Sequence, residues 1–161
     1  MKTSVRGIGV VVLMGVALLL AACGGGGGNT GGSSAGGGGA ATFNLTAPGE
    51  SLAFEPKTLI ASAGQEVTIS FANGSAVQQH NFVLVNGGEA VAAPIAADGI
   101  TAGPNGDYLP ADRTNIIAAT DLADPGQTVT VTFTAPTAGT YLYICTVPGH
   151  YPLMQGTLTV Q

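Results

Sequence analysis

The chain has no tryptophan, two cysteines, two histidines, three methionines and four lysine or arginine residues among 161. Each scarcity closes off something. Nucleic-acid binding needs clustered Lys and Arg to neutralise phosphates. Here Lys2 and Arg6 stand at the extreme N-terminus, and the rest of the chain sets only Lys57 and Arg113 against nine Asp and Glu. No apolar run is long enough to span a bilayer as a helix: Ile8 to Leu20 falls short of the roughly 20 residues required. Aromatic residues are few, while Thr, Val, Gly and Pro dominate the second half, a composition that favours strands and turns over helices.

What is present begins with a leader. Residues 1–22, MKTSVRGIGVVVLMGVALLLAA, run from a basic start through an apolar stretch to small residues, the layout of a secretory signal. The boundary LAAC, Leu20 to Cys23, resembles the bacterial lipobox, in which the cysteine receives a lipid and becomes the mature N-terminus. Residues 23–41 then comprise that cysteine and a Gly- and Ser-rich stretch too poor in apolar side chains to offset the entropy of ordering, hence a flexible linker. The expected location is the extracytoplasmic face of the cell membrane, with the chain held there by its lipid. With Cys23 assigned to the lipid, Cys145 has no disulfide partner. It must be shielded in a core or bound to something.

Residues 42–161 read as one all-β domain. Strands are expected at 42–45, 51–54, 58–61, 66–72, 81–85, 128–134, 139–144 and 156–160. EVTISF and QTVTVTF alternate apolar and polar residues, and PGE, AGQ, NGS, NGG, PGQ and TAG punctuate them. Seven or eight short strands in this length suggest an antiparallel sandwich. Residues 87–125, rich in Ala, Gly, Pro and Asp, are expected to be an insertion between strands carrying a short helix near residues 113–122.

The scarce residues then converge. CTVPGHYPLM places Cys145, His150 and Met154 in a Cys-x4-His-x3-Met spacing, and the other histidine, His80, opens HNFVLV at a turn. Taken singly, each has an ordinary reading: a buried thiol, a polar turn residue, a core-filling methionine. The domain holds no surplus copies of His or Cys to make the grouping accidental. Two imidazoles and a thiolate with a weak thioether form the ligand set of a type 1 copper centre, where the soft sulfurs suit Cu(I) and imidazole also suits Cu(II). Cys145 would end a strand, Pro148 and Gly149 would turn the chain, and Pro152 would stiffen the return to Met154.

This pattern resembles the cupredoxin family, and the loop spacing is similar to that of azurin rather than plastocyanin. The lipobox, Gly-rich linker, long middle segment and TVPGHYPLMQGTLTV ending together resemble the auracyanin branch, blue copper proteins of filamentous anoxygenic phototrophs. The resemblance implies a Greek-key β-sandwich binding one copper ion through His80, Cys145, His150 and Met154. It implies that Asn81 ties the two ligand loops together, and that the backbone N–H groups of Asn81 and Val147 donate to the thiolate. It implies an apolar docking patch around His150, made by Val147, Pro148, Gly149, Tyr151, Pro152 and Leu153. The implied activity is that of a monomeric electron carrier between a quinol-oxidising membrane complex and a reaction-centre cytochrome.

Two other classes are weaker. A multicopper enzyme needs several more histidines than His80 and His150, so catalysis by this chain alone is not expected. A copper delivery or storage protein would be expected to expose a Met- and His-rich site, whereas this chain offers a single four-residue set.

If Cys23 carries the anchor, Cys23→Ser will move the protein out of the membrane fraction while its visible spectrum stays unchanged, since the linker separates anchor from domain. Fractionation of cells expressing each form checks this. Continued membrane partitioning of the variant would contradict the assignment.

Overall fold

The computed structural model describes residues 39–161. The leader, Cys23 and most of the linker lie outside the described residues. Eight strands form: β1 (Ala41–Ala47), β2 (Thr58–Ala61), β3 (Glu66–Asn73), β4 (Val83–Val85), β5 (Ile116–Ala119), β6 (Thr128–Thr134), β7 (Gly139–Ile144) and β8 (Gln155–Val160). They assemble into a three-stranded sheet, β1-β3-β6, and a five-stranded sheet, β2-β8-β7-β4-β5.

Between the sheets lies an alternating apolar core. Val67, Ile69 and Phe71 of β3 point inward while the residues between them do not. Phe54 sits at the centre, with its ring edge-on to Phe71, Phe82 and Tyr143 at centroid distances of 5.5, 6.3 and 5.2 Å. Each such fully buried ring contributes on the order of 1.5–3 kcal/mol by leaving water. Tyr143 faces Gly156 across the β7–β8 ladder, and a Cβ at Gly156 would overlap the Tyr143 ring. The glycine therefore lets the ring lie over β8 and donate its hydroxyl to the Pro56 carbonyl at 2.8 Å.

Several expectations need correction. The sandwich is mixed rather than antiparallel, because β1 pairs with β3 and β2 with β8 in parallel. The chain between β1 and β3 visits the other sheet as β2, so it returns in the same direction. Residues 51–54 form no strand. This segment crosses between sheets, held by paired backbone bonds between Thr46 and Glu55, and its product is the buried Phe54 plug.

The insertion does carry a helix, but at α1 (Glu89–Gly99). The region near residues 113–122 instead contains β5, where β-branched Ile116 and Ile117 favour extended backbone beside β4. The helical signal was obscured by Pro94, a residue that normally breaks a helix interior. The run EAVAAPIAADG is otherwise rich in alanine, and it buries Ala92, Ile95, Ala96 and Gly99 at helical spacing. This face packs with Leu109 against Val83, Val85 and Ile144, on the side of the five-stranded sheet away from Phe54.

This topology positions the scarce residues. β4 and β7 are neighbours in one sheet, so the residues just before β4 and just after β7 meet at one end. The β7–β8 connection lies at that same end.

Candidate metal centre

His80 is fixed by its backbone. Its N–H donates to the Ala123 carbonyl at 3.1 Å, and its carbonyl accepts from Ala123 N–H at 2.8 Å. Cys145 directly follows β7, and its N–H donates to the Met154 carbonyl at 3.1 Å, closing the loop between β7 and β8. Inside that loop His150 N–H reaches the Val147 carbonyl at 3.0 Å. Pro148 and Gly149 occupy the two central turn positions, with Gly149 at φ 83°. Proline followed by a positive-φ glycine is the pattern of a type II turn, so the local sequence itself aims His150 back toward Cys145.

The three donors converge. Cys145 Sγ lies 3.8 Å from His80 Nδ1 and 3.5 Å from His150 Nδ1, and the two Nδ1 atoms are 3.1 Å apart. His80 and Cys145 are fully buried, while His150 is 8 % exposed. Met154 is buried at the end of the same loop, its N–H donating to the His150 carbonyl at 2.9 Å. Among the described residues these three donors form the one cluster of ligand-type side chains that could hold a metal ion.

The electrostatics fit a cation. Burial, and then the neighbouring His150, push the His80 imidazole down to about 4, so it is neutral at physiological pH. Burial also lowers the His150 value. His80 Nε2 has no hydrogen-bond partner among the described residues, so charging the ring would add to the cost of an already unpaired buried polar atom. Burial pushes the Cys145 thiol up to about 11, opposed by the backbone N–H groups of Asn81 and Val147, both directed at its sulfur. Two neutral imidazole nitrogens and a thiolate around one point make a trigonal site. With metal–donor lengths of about 2.0 Å to nitrogen and 2.3 Å to sulfur, a planar ion would separate its donors by about 3.5–3.7 Å. The separations found here bracket that range.

Asn81 joins the two ligand segments. Its Oδ1 accepts Thr146 N–H at 2.9 Å and its Nδ2 donates to Thr146 Oγ1 at 2.8 Å. Around the mouth of the site Pro148, Gly149, Pro152 and Leu153 are exposed, and Val147 and Tyr151 are half-buried.

Sequence reasoning overlooked the residues that brace His80 from behind. Asn73 ends β3 at an inward position and is buried. Its Nδ2 donates to the carbonyls of Gln78 and Ala123, and its Oδ1 accepts Ser75 N–H. Glu50 accepts from Ala76 N–H and Ser75 Oγ, both at 2.8 Å, and these bonds hold its carboxyl below the usual range. Asn73 was detectable: it continues the inward series Val67, Ile69, Phe71, and a polar side chain there must find partners. Glu50 gave no such signal.

Residues 41–161 match the family of copper-binding proteins of the plastocyanin/azurin type. The chain is 65% identical over 119 residues to auracyanin-A of Chloroflexus aurantiacus, covering 74% of each. It superposes on the structure of auracyanin A, described as a "blue" copper protein from that green thermophilic photosynthetic bacterium, with TM-score 0.74 and 63% identity over 76% of this chain and 99% of the other. Dithionite-reduced auracyanin from Roseiflexus castenholzii gives TM-score 0.72 at 50% identity, covering 74% of this chain and 96% of the other. His80, Cys145 and His150 are accordingly arranged as a type 1 copper site.

At neutral pH the thiol is protonated and His80 is not, so metal binding must displace the thiol proton. Zinc, which is redox-inert, should release about one proton per ion, with affinity rising about tenfold per pH unit from neutrality until the thiol itself ionises near 11. Calorimetry in buffers of different ionisation enthalpy measures this. Release of no proton would contradict the assignment of Cys145 as a ligand.

Proposed function

The chain belongs to the plastocyanin/azurin family of copper-binding proteins, and from that membership we propose that it is a lipid-tethered electron carrier working outside the cytoplasm. Its donor in this reading is a quinol-oxidising membrane complex and its acceptor a reaction-centre cytochrome. The observation that carries the proposal is the buried trio of His80, Cys145 and His150, converged within 3.8 Å at one end of a rigid sandwich. Bound copper supplies one-electron exchange between Cu(I) and Cu(II).

The chain's own residues do the rest. The N–H groups of Asn81 and Val147 draw electron density from the thiolate, which disfavours the oxidised state and raises the potential. The Asn81–Thr146 bonds keep the two ligand segments in register, so that little has to move when charge changes. His150 alone of the three reaches the surface, so its imidazole is the route by which an electron enters or leaves. The loop beside it presents Pro148, Gly149, Pro152 and Leu153, with no charge to desolvate. A small apolar face of this kind suits brief encounters with a partner. Support for the partners comes from likeness to auracyanin of a photosynthetic bacterium, and support for the tether from LAAC and the Gly-rich linker. Met154, buried where the loop closes, would be a fourth and weaker ligand whose thioether tunes the centre.

Electron self-exchange separates a carrier from a copper store. Mixing Cu(I) and Cu(II) forms of the protein and following NMR line broadening should reveal fast exchange, because the buried donors are already in place. Exchange too slow to broaden any resonance would favour storage.

Met154→Leu keeps roughly the same volume, a swap costing under about 1.5 kcal/mol, so fold and colour should survive. Cu(II) gains more than Cu(I) from a fourth donor, hence the potential should rise. Met154→Gln offers a harder oxygen and should lower it. Voltammetry on the pair decides: two wild-type potentials would make Met154 core filling.

A further inference from the structure

One contact at the centre comes from outside the two ligand segments. Asn81 Nδ2, besides bonding Thr146, donates to the backbone carbonyl of Asp107 at 2.7 Å. Asp107 belongs to the insertion, 26 residues along the chain. It lies in the left-handed region (φ 56°, ψ 22°), and Tyr108 follows it there at φ 52°. Non-glycine residues rarely adopt that conformation, and Asp and Asn do so more readily than others. Two successive ones need something to hold them.

Two features hold this turn. The Asp107 carboxylate accepts Leu122 N–H at 2.8 Å. Leu122 directly precedes Ala123, whose backbone pairs with His80. From the other side Gly99, the last residue of α1, lies so close that a Cβ there would overlap the Tyr108 carbonyl. Asp107 thus closes a ring: its carbonyl holds the Asn81 side chain, and its carboxylate holds the segment that pairs with His80.

We infer that the insertion is a brace for the metal centre, in which Asp107 is a positioning residue that fixes Asn81 and, through it, the N–H directed at the Cys145 sulfur. This rests on the type 1 copper reading. The chain of cause is short. Loosening the Asp107 turn frees the Asn81 amide, the hydrogen bond to sulfur lengthens, and the thiolate donates more strongly to copper. The oxidised state then gains and the potential falls. The insertion between β4 and β5 thereby tunes the centre through Asn81.

Charge must be separated from geometry in the test, since removing a carboxylate by itself raises the potential. Asp107→Asn and Asp107→Ala remove the same charge. Asparagine keeps an acceptor for Leu122 N–H and tolerates the left-handed turn, whereas alanine does neither. With the full copper-loaded chain, Asp107→Ala should sit below Asp107→Asn by about a tenfold shift toward Cu(II), about 59 mV. Its thiolate charge-transfer band should move to lower energy, and in the zinc-loaded protein its Asn81 amide should exchange faster with deuterium. Gly99→Ala, with no change of charge, should shift all three readings in the same direction relative to wild type, which keeps the inference testable should Asp107→Ala fail to fold. Equal potentials for the alanine and asparagine variants, or a wild-type potential for Gly99→Ala, would overturn it even if stability dropped. A wild-type protein with no intense thiolate-to-copper band would instead overturn the copper reading on which it rests.

Discussion

A thiolate placed in the core of a protein is the constraint on which the rest of this structure depends. Cys145 is wholly buried, and burial alone holds its proton far above neutral pH. An uncompensated sulfur anion there would be costly. The fold answers with two backbone N–H groups directed at the sulfur and two neutral imidazole nitrogens that gather beside it and, with it, can share a cation. Neither histidine readily takes the place of that cation, because burial lowers the pKa of both rings, that of His80 to about 4. The site is therefore three buried donors gathered where a shared cation would offset the charge of the thiolate.

Holding such a site requires stiffness on all sides, and the molecule supplies it unevenly. Behind His80, Asn73, Ser75 and Glu50 tie down the loop after β3. Between the ligand segments stands Asn81, with each of its side-chain atoms bonded. On the far side the insertion packs α1 over the sheet and presents the Asp107 carbonyl. The direction of His150 is different. There a short turn of Pro148 and Gly149 leads the chain over the top, and the ring comes near the surface among uncharged residues. A centre closed on every side but one is suited to passing electrons through that side.

Much of this could be read from the sequence, for identifiable reasons. β3 and β6 showed themselves by strict alternation, since each has one face against the core. The candidate ligands stood out by rarity and spacing: Cys145, His150 and Met154 share one loop, so their relation is local. The elements that escaped are those whose logic is not local. Pro94 disguised α1, although packing on the sheet overrides the lost backbone bond. The segment ending in Phe54 looks like a strand but serves as a plug. The parallel pairing of β1 with β3 and of β2 with β8 depends on which sheet each strand joins, which no local pattern states. Thr146 and Asp107 gave no signal, because each matters only through a partner tens of residues away.

On this reading the fold, rather than the metal, places the donors. Crystal structures of the copper-loaded protein in the Cu(I) and Cu(II) states test it most directly. Copper should be bound by His80 Nδ1, Cys145 Sγ and His150 Nδ1 in both, with these atoms in the same positions to within about 0.5 Å. A structure in which either histidine swings away in one oxidation state, or in which copper sits elsewhere, would contradict it.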